Sequence, residues 1–123
     1  MSLEENKAVV RKIFEAFNKR NLASLDEFIA PDFVDHTNQL RGLEDVKQFL
    51  TALIKGFPDL QMTIEDMVAE GDKVWVRIKN MGTHTGEFRG QAPTGKTFTG
   101  IDVHNFRIVT GKIVEDIMVS MHS

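Results

Sequence analysis

At 123 residues the chain is a single domain, long enough to bury roughly two-thirds of its unfolded surface without staples. Its 41% hydrophobic and 27% charged residues are ordinary for a globular protein, and a net charge of -3 offers no attraction for nucleic acid or an anionic membrane surface. The absence of cysteine excludes disulfides, thiolate catalysis and cysteine metal sites.

The N-terminus runs directly into a charged helical pattern instead of a secretory leader, and the apolar runs are too short to span a bilayer. The expected compartment is therefore the cytoplasm. Met1-Ser2-Leu3 carries no weight in this reading. Val10, Ile13, Phe14 and Phe17 then fall at helical spacing and form one apolar face. Leu22, Leu25 and Phe28 predict a short second helix capped by Asn21 and ended by Ala30-Pro31-Asp32. A third helix follows Gly42, with Val46, Phe49, Leu50, Leu53 and Ile54 as its stripe and Gly56 and Pro58 as its stop.

From Leu60 the period changes to two. Leu60, Met62, Ile64 and Val68 alternate with polar residues, Glu70-Gly71-Asp72 turns the chain, and Val74, Val76 and Ile78 alternate with Trp75, Arg77 and Lys79. Two further strands are predicted over roughly 97–109 and 113–121, joined at Thr110-Gly111. Helices followed by an antiparallel meander read as α+β, with the helices on one face of the sheet. A short, strongly curved sheet around them leaves a pocket between the two layers.

Gly90 through Gly95-Lys96-Thr97 matches the phosphate-binding loop pattern. That loop needs a helix immediately after it, so that backbone N–H groups at the helix N-terminus meet the phosphates. Here Phe98-Thr99-Gly100-Ile101-Asp102-Val103-His104 follows, a strand composition, and Pro93-Thr94-Gly95 reads as a turn between strands. The match is a decoy.

Other fragments carry a resemblance. Ala30-Pro31-Asp32 precedes Asp35-His36, Arg41-Gly42-Leu43 opens a helix, and Phe57-Pro58-Asp59-Leu60 follows. Then come Glu70-Gly71-Asp72, Gly82-Thr83-His84 with Gly86-Glu87-Phe88, Pro93-Thr94-Gly95-Lys96, and Gly111-Lys112-Ile113-Val114-Glu115. In this order the chain resembles the SnoaL-like polyketide (ester) cyclases, within the nuclear-transport-factor-2-like (cystatin-like) fold shared with ketosteroid isomerases. The resemblance covers nearly the whole chain. It implies a cone: a curved antiparallel sheet wrapped around N-terminal helices, with an internal cavity and commonly a homodimer formed through the sheet. It also implies a cofactor-free intramolecular aldol closure on a polyketide ester, a small apolar carbonyl compound.

Such chemistry needs a base for a proton α to a carbonyl and a donor for the oxygen where charge develops. Asp102 and His104 stand two residues apart on one strand face, flanked by Phe98 and Phe106, and form the predicted acid–base pair. His36, expected near the cavity mouth, is the third catalytic candidate. His84, Phe88, Phe98, Phe33, Trp75, Met118 and Met121 are the expected pocket wall, His84 also tying down a loop. Alternation alone leaves open whether Trp75 or its neighbours Val74 and Val76 face the ligand. No cofactor is expected, and the histidines lack a compact metal-binding spacing. His122 is read as a frayed end.

The final strand departs from the family pattern. The resemblance implies an acid a few residues past Gly-Lys-Ile-Val-Glu, with a Trp beside it. After Asp116 this chain reads Ile117-Met118-Val119-Ser120-Met121, which puts Ile117 at the Trp position and Met118 or Met121 at the acid. Methionine fills apolar space and cannot shuttle protons. The chain also has no tyrosine, which excludes an oxyanion hole built on a phenol. Three readings stay open: an enzyme of the cyclase or isomerase type, a non-catalytic pocket for a hydrophobic small molecule, and a dimerisation module whose cavity is filled by side chains.

Overall fold

The structure, a computed structural model, describes residues 2–122, and of His122 the backbone only. Helix α1 (Leu3–Asn18) begins at Ser2, whose hydroxyl accepts from Glu5 N–H while the Glu5 carboxylate accepts from Ser2 N–H, both at 3.0 Å. Ser2 therefore has a capping role that the sequence reading did not give it. Val9, Val10, Phe14 and Phe17 are the buried face. Leu22–Glu27 form a 3-10 turn in which Leu25 is buried, and Asn21 precedes it without a side-chain capping bond.

Two strands went unread in the sequence. β1 (Ile29–Asp35) lies where a helix stop was expected, and it pairs antiparallel with the two-residue β2 (Leu40–Arg41). Pro31, which cannot donate to a ladder, sits inside β1. It falls in the span where the pairing with β6 shifts register between Ile29 and Val34. Helix α2 (Gly42–Gly56) follows, then β3 (Gln61–Glu70), β4 (Lys73–Thr83), β5 (Thr97–Val109) and β6 (Lys112–His122). The sheet order is β2-β1-β6-β5-β4-β3, and it is mixed, because β1 runs parallel to β6 while every other pair is antiparallel. β6 keeps its pairing through the His122 backbone, opposite Gly100, so this backbone is not frayed.

Alternation assigns the two faces. On β4, Val74, Val76, Ile78 and Asn80 are buried against α1 and its surroundings, while Trp75, Arg77 and Met81 point outward. The apolar stripe of α2 is not fully buried. Phe49, Leu50 and Leu53 line a cavity between that helix and the sheet. The sheet curls around α1 and α2 without closing.

The loop 84–96 covers one end of this space. It is closed at its base by His84 N–H to Lys96 O (2.9 Å) and Gly95 N–H to His84 O (2.8 Å), and it docks on α2 through Gly86 N–H to Gly56 O (3.1 Å). A Cβ at Gly86 would stand 1.9 Å from Lys55 O. Gly86→Ala should therefore prise the loop off the helix and cost about 1–3 kcal/mol, seen as a lower Tm in thermal unfolding. An unchanged Tm would mean that the loop does not hold this contact. After Gly95-Lys96 the chain enters β5, not a helix, so the phosphate-loop context is absent.

Candidate active site

The cavity encloses about 750 Å³, ample for a polycyclic molecule, and it is walled mainly by apolar side chains. At one end Phe57, Phe88 and Phe98 meet edge to face, with His84 against Phe57 at 5.0 Å between ring centroids. His84 is buried, and its Nδ1 is 3.1 Å from Thr94 Oγ1. The cavity is open space, so the reading in which side chains fill it is overturned.

At the other end three strands bring titratable groups together. β5 places His104 opposite Met118 of β6 and Phe106 opposite Asp116. Asp116 thus reaches His104 along the diagonal, and its Oδ2 lies 2.8 Å from His104 Nδ1. The imidazole stacks on Phe106 (centroids 5.0 Å apart, planes within 6°) and meets the edge of Phe14. Burial alone would push this imidazole down. The hydrogen bond and charge of Asp116, with the charges of Asp102 and Asp35, outweigh it and leave the His104 pKa raised. Burial also pushes the Asp116 carboxyl up, and the hydrogen bond from His104 draws it back only in part. The bond fixes Nδ1–H toward Asp116, and Nε2 has no protein partner among the described residues.

Two further polar groups border this cluster. Asp35 is paired with Asp116 across β1 and β6 and is buried. Its Oδ1 accepts from Thr37 N–H (2.9 Å) and Asn38 N–H (3.0 Å), and its Oδ2 from the Asn38 side chain (2.9 Å). Asp102 lies on the His104 face, and its Oδ2 accepts from Asn80 Nδ2 at 2.5 Å. Asp102, His104, Asp116, Asn38 and Asn80 all line the cavity.

A His–Asp pair on the wall of an apolar cavity is held by a sheet curved around two helices, and the fold that carries it is shared with known proteins. The family model described as SnoaL-like polyketide cyclase matches residues 7–120. The chain belongs to the SnoaL-like polyketide cyclase family. It is 34% identical over 112 residues to the aklanonic acid methyl ester cyclase of Streptomyces peucetius, covering 85% of this chain and 77% of the relative. It is 31% identical to the enzyme of the same name from Streptomyces galilaeus, covering 90% and 81%. Among solved structures, AclR from S. galilaeus has a TM-score of 0.85 at 33% identity, covering 97% of this chain and 80% of that one. IdmH from Streptomyces antibioticus has a TM-score of 0.80 at 32% identity, covering 94% and 91%. The nuclear-transport-factor-2-like architecture implied by the sequence fragments is the one these SnoaL-like structures have.

Within this SnoaL-like frame the predicted residues separate. His104, Asp102, His84, Phe33, Phe88, Phe98 and Met118 line the cavity. Trp75 and Met121 do not: they are 49% and 55% exposed on the outer face, because their strand positions are odd to the inward-facing series. His36 also lies outside the cavity wall. Its Nε2 is 2.8 Å from Glu115 Oε2 on the surface, and its backbone N–H donates to Asp116 O at 3.0 Å, a structural tie between β1 and β6. The three described histidine side chains are thus not gathered: His36 meets Glu115, His84 meets Thr94 and His104 meets Asp116.

Sequence reasoning missed Asp116, since the search for a last-strand acid began beyond it. The signal was present: Asp116, Met118 and Ser120 share one strand face, so an acid at 116 faces the same cavity as one at 118. Asn38 and Asn80 were missed because nothing local marks an Asn as inward-facing.

Proposed function

We propose that this SnoaL-like cyclase closes a ring by intramolecular aldol addition on an apolar polyketide ester, with His104 as the proton shuttle and Asp116 as its orienting partner. The observation that carries this reading is the 2.8 Å bond between His104 and buried Asp116 on the cavity wall. Neutral His104 takes the proton α to one carbonyl through Nε2. The resulting carbanion equivalent adds to a second carbonyl carbon of the same molecule. The imidazolium then returns that proton to the new alkoxide, so product and substrate are isomers. Asp116 steadies the imidazolium as it forms, and Asp102 and Asp35 add to the field. Asp102, occupied by Asn80, contributes charge while the proton moves on His104.

The non-catalytic reading draws on Met118, which stands beside the cluster where the resemblance implies an acid. Incubation with aklanonic acid methyl ester, the ester for which its relatives are named, decides between the two. Conversion to an isomeric product supports the cyclase, whereas tight binding without conversion supports a carrier.

A homodimer through the outer sheet face completes the proposal. Val68, Trp75 and Ile117 lie in one cross-strand row, and Val119 (64% exposed) and Met121 stand beside it. An apolar face of this kind calls for cover. Val119→Glu is expected to convert a dimer to a monomer in sedimentation velocity, and a dimer retained would place the interface elsewhere.

A further inference from the structure

Ring closure on His104 leaves one requirement unmet: a donor for the carbonyl oxygen that gains charge when the α proton leaves. The chain has no tyrosine, and the side-chain amide of Asn80 gives one hydrogen to Asp102 while no second contact among the described residues aims the other. Near His104 the cavity wall offers two other donors, Ser120 and Asn38. Ser120 lies opposite Asp102, and no side-chain partner fixes its hydroxyl among the described residues. Asn38 is different.

Asn38 stands in the turn between β1 and β2, and this turn is fastened on two sides. Both oxygens of buried Asp35 are occupied by it, through Thr37 N–H, Asn38 N–H and Asn38 Nδ2. Thr37 Oγ1 accepts from Met118 N–H (2.9 Å) and donates to Met118 O (3.1 Å), which locks the turn to β6 at the residue facing His104. Only one hydrogen of the Asn38 amide is therefore spent on a strong acceptor. The other is directed at Met118 Sδ, 3.3 Å from Nδ2, and a thioether is a weak acceptor. An incoming oxygen with developing charge outcompetes sulfur for this hydrogen. The donor is already in place, so no reorganisation accompanies the chemical step.

We propose that the Asn38 side-chain N–H donates to the substrate oxygen on which negative charge develops, and that Asp35 is the positioning residue that aims it. This rests on the His104 reading of the same cavity. It gives the methionine at the expected acid position a role as placeholder: Met118 holds the amide until the substrate arrives.

Asn38→Leu keeps the side-chain size and removes the donor. With aklanonic acid methyl ester as substrate, kcat is expected to fall about 10²–10³-fold, with KM within about threefold of wild type. An unchanged kcat overturns the proposal. A second readout needs no turnover. 4-Nitrophenol bound in the cavity reports the donor through its own ionisation, followed by absorbance. Its bound pKa should rise by about one unit or more in Asn38→Leu, because a tenfold loss of preference for the phenolate is one unit. Equal bound pKa values in both proteins also overturn the proposal. If wild type converts no ester, the cyclase reading fails and the nitrophenol comparison still decides Asn38. For Asp35 the test is non-additivity: Asp35→Asn should lower kcat in wild type and cause no further loss in Asn38→Leu. An equal loss in both backgrounds would make Asp35 purely structural and remove it from the proposal.

Discussion

His104→Ala should lower the rate of ring closure by roughly a hundredfold or more. The loss follows from the absence of a second proton carrier in the right place. Asp116 is engaged with Nδ1 of the same ring, Asp102 with Asn80, and the inward-facing residue opposite His104 is methionine. The substitution also removes a ring stacked on Phe106 and edged by Phe14, which should cost stability on the order of 1–3 kcal/mol. Circular dichroism and a thermal melt of the variant separate the two effects. A folded His104→Ala protein with wild-type rates would remove His104 from the reaction.

Asp116→Asn should act differently, by changing when and how His104 works. The asparagine retains the shape but loses the charge, and its amide can donate to Nδ1 and so stabilise the wrong tautomer. A fall in kcat of about a hundredfold or more is expected. The pH profile should move as well. In wild type the base form of His104 appears only as pH rises through a pKa held above the ordinary histidine value, chiefly by Asp116 acting against burial. kcat/KM should therefore climb through that raised pKa. Without the Asp116 charge, burial has more weight and the limb should shift to lower pH. The same raised pKa makes the His104–Asp116 bond stabilising below the unfolded histidine pKa, and that stability is lost as pH rises through the folded one. A limb that stays in place in Asp116→Asn would show that Asp116 does not set the ionisation of His104.

The long elements were legible because their hydrophobic periods are unbroken. α1, α2 and the four strands from β3 to β6 lie where the sequence puts them, and the period-two stretch around Asp102 and His104 correctly sets both on the cavity face. β1 was not legible, since Pro31 breaks a run of only seven residues and its pairing partners on β6 lie far along the chain, Asp35 meeting Asp116. The face of Trp75 could not be read from one strand either. Alternation separates two faces, and only the helices packed on Val74, Val76 and Ile78 say which of them is inside.

The site was half legible for a related reason. His104 carried its chemistry in its identity, whereas its partner depends on the β5–β6 register, in which Asp116 pairs with Phe106 and meets His104 diagonally. The family pattern points to Met118 or Met121 for the acid, whereas Asp116 stands one inward position before Met118 on the same strand face. His36 showed the opposite error. It has suitable chemistry in a family-like fragment, but it points away from the cavity to Glu115. The asparagines gain their meaning only from what holds them, Asp35 for Asn38 and Asp102 for Asn80.

The shuttle assignment is tested most directly by a nitrogen-15 NMR titration of His104 in the free protein. A proton resident on Nδ1 and a pKa above 6.5, the value of an unperturbed histidine, are predicted by an Asp116-held imidazole in a carboxylate-lined cavity. A His104 that titrates at or below that value, with Nδ1 unprotonated in its neutral form, would contradict the account.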